Sequence, residues 1–306
     1  MIDISSKIKT QREAVAEGIL VCSEKSEEAI RTGVTVKGNI YEVARTAGIL
    51  AAKRVSDNIP LCHNIPLDHI NIRFEKGKEV IKVFAKVKSK ASTGVEMEAL
   101  FAASIVLLTL YDMLKPIDDN IQISQVKLLK KSGGKKDFSD SFDKPIRTSL
   151  LVMSDSVYKG KKQDKAGMAI KEKLEKNKNI EIVSYEILPD EKGIIKEKIL
   201  ELCHKQIDLV LASGGTGLSP RDVTVEAVKE IIDREVPGIS EAQRLYGFER
   251  TPYSMLSRSV SGLKDKTLIV TLPGSTRGAE ESVDALFPWI LHVFKVLEKG
   301  YRHANS

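Results

Sequence analysis

The segment Thr93-Gly94-Val95-Glu96-Met97-Glu98-Ala99-Leu100 sets two carboxylates two residues apart, just before a long apolar run ending in Tyr111-Asp112-Met113-Leu114-Lys115. In extended backbone, alternate residues share a side, which turns Glu96 and Glu98 toward one pocket. Residues three apart share a helix face, so Asp112 and Lys115 lie together. Carboxylates held among lysines have their proton affinities pulled apart, as paired acid and base chemistry needs. Taken alone, such a stretch is equally a capped amphipathic helix with solvated ends. Here it has company: the same half carries Val36-Lys37-Gly38-Asn39, Pro60-Leu61-Cys62-His63-Asn64 and Leu129-Lys130-Lys131-Ser132-Gly133-Gly134-Lys135. Lys37, Lys115, Lys131 and Arg12 are candidate phosphate ligands, the lysines as compact charges and the arginine as a planar fork. His63 is a candidate proton shuttle near neutral pH. Singly, each lysine reads as a surface cation and the histidine as a structural residue.

The second half offers different chemistry. The buried-strand run Asp208-Leu209-Val210-Leu211-Ala212 leads at once into Ser213-Gly214-Gly215-Thr216-Gly217-Leu218-Ser219-Pro220-Arg221-Asp222-Val223-Thr224. Glycines let backbone amides approach phosphate closely, and the positive end of the following helix points the same way. No Walker loop of the form GxxxxGK[ST] is present. A second strand, Leu268 to Leu272, runs into Pro273-Gly274-Ser275-Thr276-Arg277-Gly278. Two such loops at strand ends make a nucleotide crevice, although either alone is an ordinary strand-to-helix turn. Asp222 also reads as a helix N-cap.

The elements that must hold these residues differ between the halves. Tyr41 to Arg54 reads as a helix, His69 to Phe74 and Val80 to Lys88 alternate as half-buried strands, and Met97 to Leu114 reads as a long buried helix. Helices with antiparallel-looking strands predict an α+β sandwich. Lys130 to Ile146 loses apolar periodicity and turns polar and Gly/Ser-rich, which marks the end of one domain and a linker. We therefore expect domains at 1–138 and 147–306, joined by a linker at 139–146. Beyond it, apolar runs at Ser149–Met153, Ile180–Ile187, Leu209–Ala212 and Thr267–Leu272 alternate with helical segments at about 166–176, 192–205, 223–234 and 279–298. That alternation predicts an α/β three-layer domain with a mostly parallel sheet, whose ligands sit beyond the carboxyl ends of the strands.

Composition narrows the function classes. At 306 residues the chain suits two domains. Net charge is +6, and the first 150 residues carry +5 of it, with 24 Lys+Arg against 19 Asp+Glu. A modest basic bias suits phosphate-bearing small molecules, and nucleic acid is the alternative. Only 5% of residues are aromatic, with no basic-aromatic interleaving, so stacking on single strands lacks a platform. The longest strongly apolar run, Ala99 to Tyr111, has 13 residues, short of the ~20 that span a bilayer. The N-terminus shows no signal-peptide core. Three scattered cysteines, at 22, 62 and 203, make no disulfide framework and no zinc-finger pairing. The expectation is a cytoplasmic protein with neither membrane nor nucleic acid as partner.

The ordered set of motifs from Ile2 to Lys136 resembles the cyclic pyranopterin monophosphate synthase family of molybdenum-cofactor biosynthesis. Two positions depart from it: Asn39 stands where an acid is common, and Asn64 where proline is common. The resemblance implies a ferredoxin-like plait. It implies a reaction that converts the 3′,8-cyclised GTP made by a partner radical enzyme into cyclic pyranopterin monophosphate, with pyrophosphate released. Lys37, His63, Glu96, Glu98, Asp112 and Lys115 are then the catalytic candidates, Arg12 and Lys131 bind substrate, and no tightly bound cofactor is expected. From about 147 to 300, Met153-Ser154-Asp155-Ser156, Leu188-Pro189-Asp190-Glu191 and Thr251-Pro252-Tyr253-Ser254-Met255-Leu256-Ser257-Arg258 join the two glycine loops. Together they resemble the molybdopterin adenylyltransferase family, which shares its fold with a gephyrin domain. Ala166 stands where a serine is common. The resemblance implies Asp190 and Asp222 as critical acids holding Mg²⁺, and ATP as co-substrate. Ser213, Gly214, Gly215, Thr216, Gly217, Ser257, Pro273, Gly274 and Ser275 would line the nucleotide and pterin sites. A bifunctional enzyme follows, with a non-catalytic pterin-binding or scaffolding second domain as the alternative. Both families share a three-fold axis, so a homo-trimer or homo-hexamer is expected.

Overall fold

The computed structural model describes residues 1–138 and 140–304 and divides into two compact units, Met1–Phe138 and Ser139–Ser306. The first unit runs β1 (Thr10–Val21), α1 (Glu27–Thr32), β2 (Val34–Thr35), β3 (Gly38–Asn39), α2 (Ile40–Ala52), α3 (Val55–Asn58), β4 (His69–Gly77), β5 (Val80–Ala91), α4 (Glu96–Leu114) and β6 (Gln122–Ser132). Its four long strands form a sheet in the order β4-β5-β1-β6, antiparallel throughout. With α2 and α4 intervening, this order is compatible with a ferredoxin-like plait. Alternation along β5 puts Ile81, Val83, Ala85 and Val87 into the core beneath Ala99, Ala103, Val106, Leu107 and Leu110 of α4. Gly48 of α2 lets the two helices close up, since a Cβ there would stand 2.4 Å from Val106 Cγ2.

Strand β1 gives little sequence signal because its inward residues are small. Ala14, Ala16 and Gly18 face α4, and a Cβ on Gly18 would stand 2.8 Å from Leu107 Cδ1. On the other face its acids pair with lysines of both neighbouring strands: Glu13 with Lys86 at 3.0 Å and Glu17 with Lys127 at 2.8 Å. Helix α4 is long and apolar enough to cross a membrane, unlike the shorter run read from the sequence. Half of it is buried inside the unit, as in a core helix.

The second unit runs β7 (Ile146–Met153), α5 (Asp155–Tyr158), α6 (Lys165–Glu175), β8 (Ile180–Leu188), α7 (Lys192–His204), β9 (Leu209–Ser213), α8 (Thr224–Lys229), β10 (Arg234–Glu235), α9 (Pro237–Phe248), β11 (Ser261–Lys264), β12 (Thr267–Leu272), α10 (Thr276–Leu286) and α11 (His292–Ala304). The sheet order is β10-β11-β12-β9-β7-β8, with β12, β9, β7 and β8 parallel and β10 and β11 antiparallel. This is an α/β unit with a mostly parallel sheet. From β7 the chain steps outward to β8, then crosses back to β9 on the other side, so the strand order reverses between β7 and β9. Such a switch point opens a crevice at the carboxyl ends of both strands.

Several expected boundaries move. Strand β6 carries regular structure to Ser132, inside the segment read as structureless. The expected helix at 279–298 is two helices, α10 and α11, separated around Pro288, which has no N–H to continue a helix. Within the expected linker, Ser139 lies outside the described residues, while Asp140 and Phe142 pack on the second unit. Asn179 Nδ2 donates to the Asp140 carbonyl at 3.2 Å, and Lys295 Nζ lies 4.8 Å from the Phe142 ring centre.

Candidate active sites

In the first unit the predicted residues gather at two places. At the N-terminal end of α4, a cavity of about 260 Å³ is bordered by Leu61, Cys62, His63, Thr93, Glu96 and Glu98, with Ile2, Ile4 and Lys7 from the chain start. Glu96 and Glu98 occupy the first helical turn rather than an extended strand; the helix has already begun, and both still reach this cavity. Glu98 is 5% exposed, and burial, reinforced by the charge of Glu96, pushes its carboxyl above the ordinary glutamate range. Glu96 meets Lys131 at 3.3 Å. His63 Nε2 is buried without a hydrogen-bond partner among the described residues. Arg12 stands behind this group, donating to the Ala91 and Ser92 carbonyls at 3.2 and 3.4 Å, and so anchors the strand end that leads into Thr93.

The other place lies at the C-terminal end of α4. Lys37, on the turn between β2 and β3, reaches the Asp112 carboxylate at 2.6 Å, and Lys115 reaches it at 2.8 Å. The expected three-residue spacing thus places Asp112 and Lys115 on one face. Lys115, then Lys37, hold the Asp112 carboxyl down at about 2. Asn39, where the resembled family commonly has an acid, caps α2 by accepting from Tyr41 N and Glu42 N, both at 3.1 Å. The two clusters do not converge in one chain: Glu98 and Asp112 are fourteen residues apart on α4, about 21 Å at 1.5 Å per residue.

In the second unit the predicted residues do converge. Two neighbouring cavities lie at the switch point. One, of about 630 Å³, is bordered by Ser154, Ser156, Asp164, Asp190, Ser213 and Gly214 among others. The second, of about 460 Å³, is bordered by Thr216, Gly217, Ser257, Pro273 and Ser275, together with Gln243, Tyr253 and Arg277. Gly215, Asp222 and Gly274 belong to both. The glycine loops touch: Ser213 Oγ donates to the Pro273 carbonyl at 3.1 Å, and Gly214 N donates to the Leu272 carbonyl at 3.0 Å. Gly214 has φ +105°, and a Cβ there would stand 2.2 Å from the Met153 carbonyl oxygen, so only glycine fits. Asp222 is not the helix cap its surroundings suggested. Helix α8 starts two residues later, and Asp222 instead accepts from Ser219 N at 2.8 Å within the preceding turn. Ser275 does cap a helix, accepting from Gly278 N at 3.3 Å at the start of α10.

Asp190 and Asp155 brace each other. Asp155 N donates to Asp190 Oδ2 at 2.9 Å, and Asp190 N donates to Asp155 Oδ1 at 3.2 Å. Arg221 pairs with Asp155 and pulls its carboxyl down. Burial pushes the Asp190 carboxyl up, and the negative charges of Asp155 and Asp222 add to this against the Asp155 N–H. Among the described residues no three of His, Cys, Asp or Glu gather as a metal cage. Two carboxylates on one cavity, one destabilised by the other's charge, nevertheless fit a Mg²⁺ ion that draws its remaining ligands from phosphate and water.

Residues 1–134 match the MoaC family, and residues 149–292 match a family described as a probable molybdopterin binding domain. Over 304 residues, covering 99% of this chain and 96% of the relative, it is 39% identical to the molybdenum cofactor biosynthesis bifunctional protein of Chlorobaculum tepidum. The Synechococcus elongatus protein of the same description is 34% identical, covering 100% of this chain and 99% of the relative. The chain belongs to the bifunctional molybdenum cofactor biosynthesis family. Its first 135 or so residues also align, at 43% identity and over 44% of this chain and 86% of the relative, with the cyclic pyranopterin monophosphate synthase of Peptoclostridium acidaminophilum.

Some contacts in this member of the family went unread in the sequence. Arg258 ties the SGGTG loop to α8: its Nε donates to the Gly217 carbonyl at 2.6 Å, its Nη2 to the Asp222 carbonyl at 2.8 Å, and it pairs with Glu226. Arg258 and Asp155 both sit inside the quoted motifs, which was their only signal. Lys162 and Lys165, which border the larger cavity, sit outside every motif and are signalled only by four lysines between residues 159 and 165.

Proposed function

We propose that the first unit, as a ferredoxin-like plait, converts 3′,8-cyclised GTP into cyclic pyranopterin monophosphate and pyrophosphate, and that the second adenylylates molybdopterin with ATP. The support for the first activity is the split of the candidate residues between the two ends of α4. Two copies related by a two-fold axis, with their α4 helices antiparallel, would bring Lys37, Asp112 and Lys115 of one against His63, Glu96, Glu98 and Lys131 of the other. Exposed apolar residues on this helix layer, Val43 and Leu50 of α2 and Leu108 of α4, suit such a pairing. The lysines then hold the triphosphate and stabilise departing pyrophosphate. Glu98, its carboxyl raised by burial, and His63, with its Nε2 uncommitted among the described residues, move protons during opening and re-closure of the purine ring. Pairs of this kind arranged about a three-fold axis give a homo-hexamer; a homo-trimer is the smaller assembly the second unit favours.

For the second activity the supporting observation is the wall of Gly215, Asp222 and Gly274 common to both cavities. ATP in one cavity and the pterin in the other would meet at that wall. An oxygen of the pterin's phosphate attacks the α-phosphorus, a new P–O–P bond forms, and the bond to the β-phosphate oxygen breaks, so that pyrophosphate leaves with the electron pair. Asp190 and Asp222 would hold Mg²⁺, which neutralises polyphosphate charge. The amides of the glycine loops orient the phosphates. The cytoplasm is the proposed location, with three free cysteines in keeping. Incubating the purified chain with molybdopterin, ATP and Mg²⁺ should yield adenylylated molybdopterin by mass spectrometry. Pterin binding with no adenylylated product would replace this reading by the scaffolding one.

A further inference from the structure

The segment from Lys159 to Lys165 carries four lysines and a single acid. It is fixed in place: Lys161 N and Lys162 N donate to the Ser156 carbonyl at 2.8 and 3.2 Å, and Gly160 N to the Val157 carbonyl at 2.9 Å. Both oxygens of the acid, Asp164, are committed. One accepts from Gly167 N at 2.9 Å to cap α6, and the other accepts the Tyr185 hydroxyl. Lys162 and Lys165 border the larger cavity together with Asp190 and Asp222. Neither ammonium has an ion-pair or hydrogen-bond partner among the described residues, whereas Lys171 and Lys173, nearby in sequence, are both paired. The first turn of the eleven-residue helix α6 borders the same cavity through Lys165 and Ala166, adding its positive end. Two uncommitted lysines and two carboxylates bordering one cavity suit a polyphosphate whose charge is shared between a metal ion and ammonium groups.

We propose that Lys162 and Lys165 hold the β- and γ-phosphates of the nucleotide, and so bind the pyrophosphate leaving group. The assignment rests on the adenylyl-transfer reading. The α-phosphorus must lie where the two cavities meet, at Gly215, Asp222 and Gly274. Lys162 and Lys165 border only the larger cavity, which the proposal gives to the nucleotide, so they meet the far end of the triphosphate. Charge that builds on the departing pyrophosphate then falls on groups already positioned for it.

The test is calorimetric titration of the full chain with Mg²⁺ and, separately, ATP, pyrophosphate, AMP and adenosine. In the K162A/K165A double variant, affinity for ATP and pyrophosphate should fall about 100-fold, roughly tenfold per lysine, while AMP and adenosine stay within about twofold of wild type. The wild-type ATP affinity should fall with added salt more steeply than the variant's. K162R/K165R should recover most of the loss, because charge and reach are kept. Equal loss for ATP and AMP, or no loss for either, overturns the lysine assignment while leaving adenylyl transfer in place. A wild-type chain that binds the pterin and no ATP overturns both.

Discussion

The two units arrange their candidate catalytic groups in opposite ways. In the second, the parallel strands β7, β8, β9 and β12 all end at one edge, so the loops after them are forced into company. Ser154, Asp190, Gly214 and Gly274 lie far apart in sequence yet border one cavity. In the first, antiparallel strands alternate their ends, and the one long helix carries its acids at both termini. Glu98 and Asp112 therefore stand a helix length apart, and under the proposed two-fold pairing each chain supplies half of a site. A parallel sheet with a switch point gathers its candidate residues within one chain, while an antiparallel sheet under a long core helix leaves them at the two ends of that helix.

The sharpest way to break this comparison is to disable one unit and read both. Asp222→Asn should lower adenylyl transfer by on the order of 10²–10³-fold, since it removes the carboxylate that borders both cavities. Conversion of cyclised GTP should be unchanged in the same sample. Loss of both activities with the melting profile intact would show that the units do not act independently.

Subunit mixing sharpens the contrast at smaller scale. Lys37→Ala and Glu98→Gln should each abolish the first unit's reaction. Co-expressed, the two variants should recover about a quarter of wild-type turnover, because half of random pairs are mixed and each mixed pair has one intact site. Mixed oligomers verified by mass that stay inactive would mean the site lies within one chain. The same mixing of Asp190→Asn with Asp222→Asn should restore nothing in the second unit.

The smallest expected effect is on stability. Because the Glu98 carboxyl is raised in the folded state, the folded chain binds more protons than the unfolded one just above the ordinary glutamate value. Stability therefore falls as pH climbs through that window. Glu98→Gln should melt about 2–5 °C higher than wild type at neutral pH, and the difference should vanish below about pH 4. A lower melting point at neutral pH would show an ionised, engaged Glu98. Asp112 behaves oppositely. With its carboxyl held at about 2 by Lys115 and Lys37, its contribution is present at neutral pH and is lost only as pH falls from the ordinary aspartate range toward that value.

Much was legible before any tertiary structure. Period-2 alternation located β5, buried runs located β7, β9 and β12, and the motif strings named the residues later found on the second unit's two cavities from Ser213 to Ser275, except Gln243, Arg244 and Gly247 of α9. What stayed hidden has physical causes. Strand β1 buries alanines and a glycine, so its inward face carries no large apolar period. Asp222 stands one residue too early to cap α8, which only the path of the Ser219 turn reveals. Lys162 and Lys165 read as solvated surface until the fold put a cavity beside them.

The sequence by itself determined which residues could do chemistry and which local element carries each, because propensity, spacing and turn chemistry act over a few residues. Only the tertiary structure decided which of those residues meet. Convergence depends on where strand and helix ends fall in space, and that is set by sheet order and helix length rather than by any local string. The same physics turned the scattered motifs of the second unit into one crevice and divided the motifs of the first between the two ends of α4.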